Sequence, residues 1–134
     1  MNQMKIQLRQ ISPATTEATF RTHRVLIDRP QDKGGTDAGP MGGELFLASV
    51  GGCFMSNLLA AITARNAEIS DVQTDVIGLL AEVPTRFSAI ELQVFAKGSS
   101  VDLERLVEVA DRGCIMMNTL RGKLDIRIQI AVAK

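Results

Sequence analysis

The stretch from Glu44 to Arg65, ELFLASVGGCFMSNLLAAITAR, runs twenty residues between charges and holds Cys53 near its middle. A segment apolar on every face must be buried wholesale, either in a protein core or in lipid. Leu45 to Ala64 would reach about 30 Å as a helix, the thickness of a bilayer core. Ser49, Gly51, Gly52, Ser56, Asn57 and Thr63 dilute the run, however, and its flanks carry neither an aromatic belt nor a basic cluster. The reading is a central buried helix, with no membrane partner. Within it, Gly51 and Gly52 each cost about 1 kcal/mol against Ala. Such a pair belongs where a backbone, a second helix or a substrate must lie close to Cys53, and plain helix packing accounts for it equally.

Ahead of this helix the pattern is that of strands. Met4 to Ile11 sets Met4, Ile6 and Leu8 against Lys5, Gln7 and Arg9, the alternation of a strand with one wet face. Ser12 and Pro13 end it, and Glu17 to Asp28 continues as two more strands, with Ala18, Phe20, Val25 and Ile27 among polar neighbours. His23, the one histidine, falls on a strand edge far from either cysteine and reads as a surface residue. From Gln31 to Gly43 the density of glycine, together with Pro40, permits only loop. The absence of a Gly-Lys-Ser/Thr ending and of G-x-G-x-x-G spacing argues against a nucleotide-phosphate loop.

Beyond Arg65, Val72 to Glu82 and Phe87 to Lys97 flank a turn at Val83, Pro84 and Thr85 and predict a second hairpin. Ser99 or Ser100 caps the next helix, whose apolar stripe is Leu103, Leu106, Val107 and Ala110, with Asp102 and Glu104 at its positive end. Gly113 interrupts it and Cys114 opens a short helical turn through Leu120. Leu124, Ile126, Ile128, Ile130 and Val132 then alternate as the last strand. The order β-β-β-α-β-β-α-β predicts an α+β fold, an antiparallel sheet with central buried helices, in one domain over residues 1–134. Two nearly all-apolar helical stretches exceed what one small sheet covers, which predicts a homodimer.

The totals exclude several functions. A chain of 134 residues buries roughly two thirds of its unfolded surface and needs no disulfide or metal to fold. Its formal charge is zero with scattered Lys and Arg, and it has five Phe but no Trp or Tyr, so neither a phosphate-tracking face nor base-stacking platforms are supplied. Nucleic acid is not an expected partner. One His and two distant Cys are too few soft ligands for a zinc site, and no cofactor is implied. The amino terminus, MNQMKIQLRQ, lacks the apolar block of a secretory signal, which points to the cytoplasm. There Cys53 and Cys114 are free thiols or a reversible redox pair, or simply small core residues.

Two motifs decide between those readings. Asp28 to Cys53 contains D-x-P-x-x-x-G-G followed by G-P-x-x-x-E-L-x-L-A-x-x-G-G-C, and Cys114 to Ile126 reads C-x-x-x-N-x-L-R-G-x-L-D-I. With the order of elements, they make the chain resemble, over nearly its whole length, the OsmC/Ohr group of thiol-dependent hydroperoxide reductases. The resemblance implies an intertwined homodimer and a peroxidase of oxidative-stress defence that acts on organic hydroperoxides and is recharged by a dithiol. It assigns Cys53 as the attacking thiol, Cys114 as its resolving partner and Glu44 as the acid of the site.

The chemistry agrees with those roles. A thiolate attacks the O–O bond and becomes a sulfenic acid, which condenses with a second thiol whose Cα lies within about 7 Å. The chain departs from the peroxidase pattern in three places. The family's Glu ten residues before the first cysteine is Gly43 here, and Glu44 follows one residue later, a rotation of about 100° on a helix. Ser12, Pro13 and Ala14 stand where the family has an Arg, with Arg9, Arg21 and Arg24 as candidates to replace it, and Ile115 stands for Pro after Cys114. Glu44 thus has two possible roles, contact with an activating Arg or a helix-terminal acid favoured by the dipole. Arg121 and Asp125 are expected to fix the turn into the last strand. Cys114 is expected to be acidified by the N–H groups of the short helix it opens, while the open approach beside Gly51 and Gly52 favours Cys53 as the attacking group. A non-catalytic protein of the same fold, binding a small apolar or electrophilic ligand, is the alternative.

Overall fold

The computed structural model describes residues 2–133. The chain folds as two units, one up to Phe46 and one from Leu47 on.

In the first unit, β1 (Gln7–Gln10), β2 (Thr16–Phe20) and β3 (His23–Ile27) form an antiparallel meander in the order β1-β2-β3. Ser12 makes the first turn tight, its hydroxyl accepting from the N–H groups of Ala14 (3.3 Å) and Thr15 (3.0 Å). Ala18 is buried at the middle of β2. Beneath the meander's end, Asp28 is buried and acts as the hub of the glycine-rich loop. Its carboxylate accepts from the N–H groups of Arg29 (2.7 Å), Thr36 (3.2 Å) and Ala38 (3.1 Å) and from the hydroxyls of Thr15 (3.0 Å) and Thr36. The apolar row of the first strand is uncovered, with Met4 93 % and Leu8 60 % exposed, so both faces of β1 are open in this chain.

A single helix, α1 (Gly42–Ala64), leaves the loop. In the second unit the order is β4 (Ser70–Ala81), β5 (Arg86–Lys97), α2 (Ser100–Gly113), α3 (Ile115–Leu120) and β6 (Asp125–Ala133). Ser99 is the α2 cap, its Oγ accepting from the Asp102 N–H at 3.3 Å. The sheet order is β4-β5-β6. Alternation along β5 sends Ile90, Leu92, Val94 and Ala96 to the buried face, where they join Val50, Phe54 and Leu58 of α1 and Leu103, Leu106 and Ala110 of α2 in the core. Burying each of the larger side chains contributes about 1.5–3 kcal/mol.

Contacts between α1 and β4 repeat at a fixed interval. Leu47 approaches Gly78, Gly51 approaches Val76, and Met55 accepts from the Thr74 hydroxyl at 3.1 Å. The helix therefore runs antiparallel to β4, four of its residues matching two of the strand. The match is geometric, since four helical residues rise about 6 Å and two strand residues about 6.6 Å. Gly51 permits the approach, because a Cβ there would lie 2.5 Å from Val76 Cγ2. A Cβ on Gly52, by contrast, would meet nothing within 4 Å among the described residues.

Two expectations are corrected. The sheet is not wholly antiparallel: β4 and β5 pair antiparallel, but β6 runs parallel to β5 with Ile90 opposite Ile126 and Val94 opposite Ile130. A parallel pair needs a long crossover, and α2 with α3 supplies it. Nor is α1 buried all round, because Val50, Gly51, Phe54, Leu58 and Ala61 are covered whereas Ala48, Gly52, Ser56, Leu59, Ala60 and Thr63 are exposed.

Candidate thiol site

Cys53 and Cys114 meet in the second unit, from opposite ends of its sequence. Two residues beyond the Gly51 contact, α1 carries the half-buried Cys53, and Gly113 ends α2 just before the fully buried Cys114. Cys114 has extended backbone (φ −81°, ψ 120°) and joins α2 to α3 without belonging to either. This break turns its sulfur toward α1, and its thiol donates to Cys53 Sγ at 3.1 Å. Both cysteines are unbridged.

The same break aims the first turn of α3 at the site. Burial pulls the Cys53 thiol up, but the backbone N–H groups of Met116 and Ile115 and the thiol of Cys114 outweigh it, leaving Cys53 below its ordinary value. Cys114 moves the other way, raised by burial and by its hydrogen bond to Cys53. The expectation that the short helix acidifies Cys114 is thus corrected. The N–H groups of Met117 and Met116 do lower Cys114, but burial and its bond to Cys53 outweigh them, while Met116 and Ile115 also reach the sulfur on the facing helix. Of the two thiols, Cys53 is the more acidic.

Around the pair, Asn57 donates through Nδ2 to the Cys53 carbonyl at 2.9 Å and faces Cys53 Sγ at 3.9 Å. Asn118 of the second motif ties α3 to α2 through its Nδ2 bond to the Arg112 carbonyl, 3.0 Å. Arg121 pairs with Asp111 of α2 at 3.1 Å, and Asp125 pairs with Arg127 at 2.7 Å on its own strand. These two motif residues therefore hold α3 to α2 and brace β6, and they do not pair with each other. Hollows of about 440 Å³ beside Arg65 and Arg105 and about 420 Å³ beside Val107 and Ile128 are lined by neither cysteine.

The remaining sequence candidates lie in the first unit. Glu44 Oε1 accepts the Met41 N–H at 2.8 Å, which caps the first turn of α1. Arg9 pairs with Glu17 at 3.6 Å, Arg21 occupies the β2–β3 turn at φ 58°, and Arg24 is exposed on β3. Among the described residues no group of three or more His, Cys, Asp or Glu side chains is placed to hold a metal ion. Asp28 opens the first motif, yet its role was not legible there, since an aspartate two residues before a proline in a glycine-rich loop reads as ordinary turn chemistry. Asn57 also gave no signal, lying outside both motifs.

Comparisons with known proteins agree with this architecture. Among solved structures, the chain is similar to a hypothetical protein from Aquifex aeolicus VF5, at 20 % identity and a TM-score of 0.85, covering 99 % of this chain and 98 % of that one. It is similar to an OsmC like protein from Mycoplasma pneumoniae at 16 % identity, with a TM-score of 0.86 and 99 % of each chain covered. The organic hydroperoxide resistance protein OhrB of Bacillus subtilis is 21 % identical, with a TM-score of 0.71 over 97 % of this chain and 98 % of that one. Such identities establish likeness of fold. No curated protein matches the chain. The family described as OsmC-like protein matches residues 34–129, a span that includes α1, both thiols and the crossover between them. The chain belongs to the OsmC-like protein family.

Proposed function

We propose that the protein is a thiol-dependent peroxidase that reduces organic hydroperoxides through Cys53 and Cys114. What supports this is the 3.1 Å sulfur–sulfur contact in which the more acidic thiol is the more exposed one. The Bacillus subtilis relative is named for organic hydroperoxide resistance. In the first step the Cys53 thiolate attacks the outer peroxide oxygen. The O–O bond breaks, the alkoxide takes a proton to leave as an alcohol, and Cys53 becomes a sulfenic acid. The Cys114 sulfur then attacks Cys53, the S–O bond breaks and water leaves with the Cys114 proton, giving the disulfide. An external dithiol returns two electrons and two protons, which suits a reducing compartment such as the cytoplasm.

Access favours Cys53, because Gly52 leaves the helix surface next to it open and the bulk of an organic hydroperoxide is apolar. Glu44 enters this reading as the acid that holds an activating arginine, with Arg9, Arg21 and Arg24 as the candidates. The exposed stripe Ala48, Gly52, Ser56, Leu59, Ala60 and Thr63 follows helical spacing and suits close packing against a second copy, so the active form is a homodimer.

Counting free thiols before and after one equivalent of an organic hydroperoxide tests the reading. We expect rapid loss of both thiols per chain, abolished in Cys53→Ser and slowed in Glu44→Gln, which keeps the capping acceptor but removes the charge. Thiols that persist through the treatment would instead leave a binding protein of this fold.

A further inference from the structure

We propose that Asn57 is a positioning residue of the thiol site, its carboxamide holding the Cys53 sulfur and the Gly113–Cys114 turn in one fixed relation. Asn57 lies one helical turn after Cys53, so the two side chains share a face of α1. Its amide has two donor hydrogens. Nδ2 is 2.9 Å from the Cys53 carbonyl oxygen and 3.9 Å from Cys53 Sγ, within reach of a large sulfur acceptor. Bonding to the carbonyl four residues back is local chemistry that an asparagine in any helix can perform. The other end of the side chain makes this one different. Asn57 Oδ1 would lie 3.2 Å from a Cβ on Gly113, so the residue before Cys114 is a glycine packed against this amide. One side chain thereby touches both cysteine-bearing segments, sixty-one residues apart.

The groups facing Cys53 are otherwise few. Cys114 is the titratable group that acts on it, α3 contributes only backbone N–H groups, and β4 meets this part of α1 through Val76 and Thr74, neither ionisable. A neutral donor beside the sulfur therefore favours the thiolate without adding a competing charge. Removing it disfavours the thiolate, and replacing it by a carboxylate disfavours it further.

The test is the pH dependence of Cys53 alkylation by iodoacetamide in the reduced full-length protein, read by mass spectrometry of the Cys53 peptide. Asn57→Leu removes the donor, and Asn57→Asp keeps the shape against Gly113 while reversing its electrostatics. We expect the Cys53 midpoint to rise by roughly half to one pH unit in Asn57→Leu and by on the order of one to three units in Asn57→Asp. The loss of rate at neutral pH should recover above each new midpoint. Unchanged midpoints, or a constant rate deficit at every pH, would overturn the proposal, and Asn57→Asp decides it if Asn57→Leu fails to fold. The proposal rests on the peroxidase reading only for its catalytic consequence. If the midpoints move but the wild-type protein leaves organic hydroperoxide unreduced, the peroxidase reading fails and Asn57 stands as a group that tunes the thiol.

Discussion

Cys53 and Cys114 are the same residue type in opposite surroundings. Cys53 receives the N–H groups of Met116 and Ile115, while Cys114 is buried and donates its proton across 3.1 Å. Removing the partner should therefore strand the reaction after its first step. In Cys114→Ser treated with one equivalent of an organic hydroperoxide, a sulfenic-acid reagent should label Cys53. In Cys53→Ser it should label little, and labelling of Cys114 there at the wild-type rate would reverse the roles. Asp28 supports a second prediction at this scale. The Thr36 hydroxyl holds its carboxyl well below the usual carboxylate range, with the N–H groups of Ala38 and Arg29 and the Thr15 hydroxyl adding to that effect against the opposing cost of burial. A lowered folded-state value means stability that is complete above the unfolded value of about 4 and is lost as the pH falls below it. Asp28→Asn should lower the urea midpoint at neutral pH, and its gap from the wild type should narrow on acidification below about pH 4. A gap independent of pH would mean that the carboxylate's charge has no part in holding the loop.

At the scale of elements, the register of α1 on β4 is the feature most exposed to a single methyl group. Gly51→Ala would put a Cβ 2.5 Å from Val76 Cγ2, so the helix must lift or Val76 must move. Overpacking of this kind costs about 1–3 kcal/mol, which exceeds the roughly 1 kcal/mol of helix propensity that alanine regains. Chemical denaturation should show Gly51→Ala to be less stable than the wild type. A stability equal to or above the wild type's would show that the approach to β4 is not tight. The two glycines look alike in sequence, where both suit a site of close approach. Among the described residues only the first has a close neighbour, because residue 51 faces the sheet and residue 52, turned by about 100°, faces away from it.

For the whole molecule, apolar surface left open is the principal unfinished business of the chain. Leu59 on α1 is 49 % exposed, and Met4, Ile6 and Leu8 form an exposed row before and within β1. A second copy would cover such surface, and the small residues around Leu59 allow two helices to approach closely. Sedimentation at micromolar concentration should give twice the chain mass, and Leu59→Glu should shift the population to single chains. A wild-type protein that sediments as a monomer at that concentration would exclude the dimer. The exposure also explains why α1 reads as an all-round buried segment in sequence: composition reports that every face avoids water and is silent on whether the cover belongs to the same chain.

The sequence by itself determined the element order and the core-facing residues of α2 and the strands. Alternation along β5 and β6 and the Leu103, Leu106, Val107, Ala110 stripe are local periodicities that backbone geometry converts directly into faces. It also placed both thiols in motifs of fixed spacing. Only the tertiary structure decided the parallel pairing of β6, the role of Asp28 as a hub, and which cysteine is the more acidic. Each of these depends on where a segment lands after a turn or crossover. Strand direction follows the length and path of the α2–α3 connection, and Asp28 collects donors up to thirteen residues away. The acidity of Cys53 comes from Ile115 and Met116, groups more than sixty residues distant, which become its neighbours because Cys114 breaks the helix. Periodicity encodes which face is buried, whereas a thiol's charge depends on the few ångströms around it, and those are set by packing.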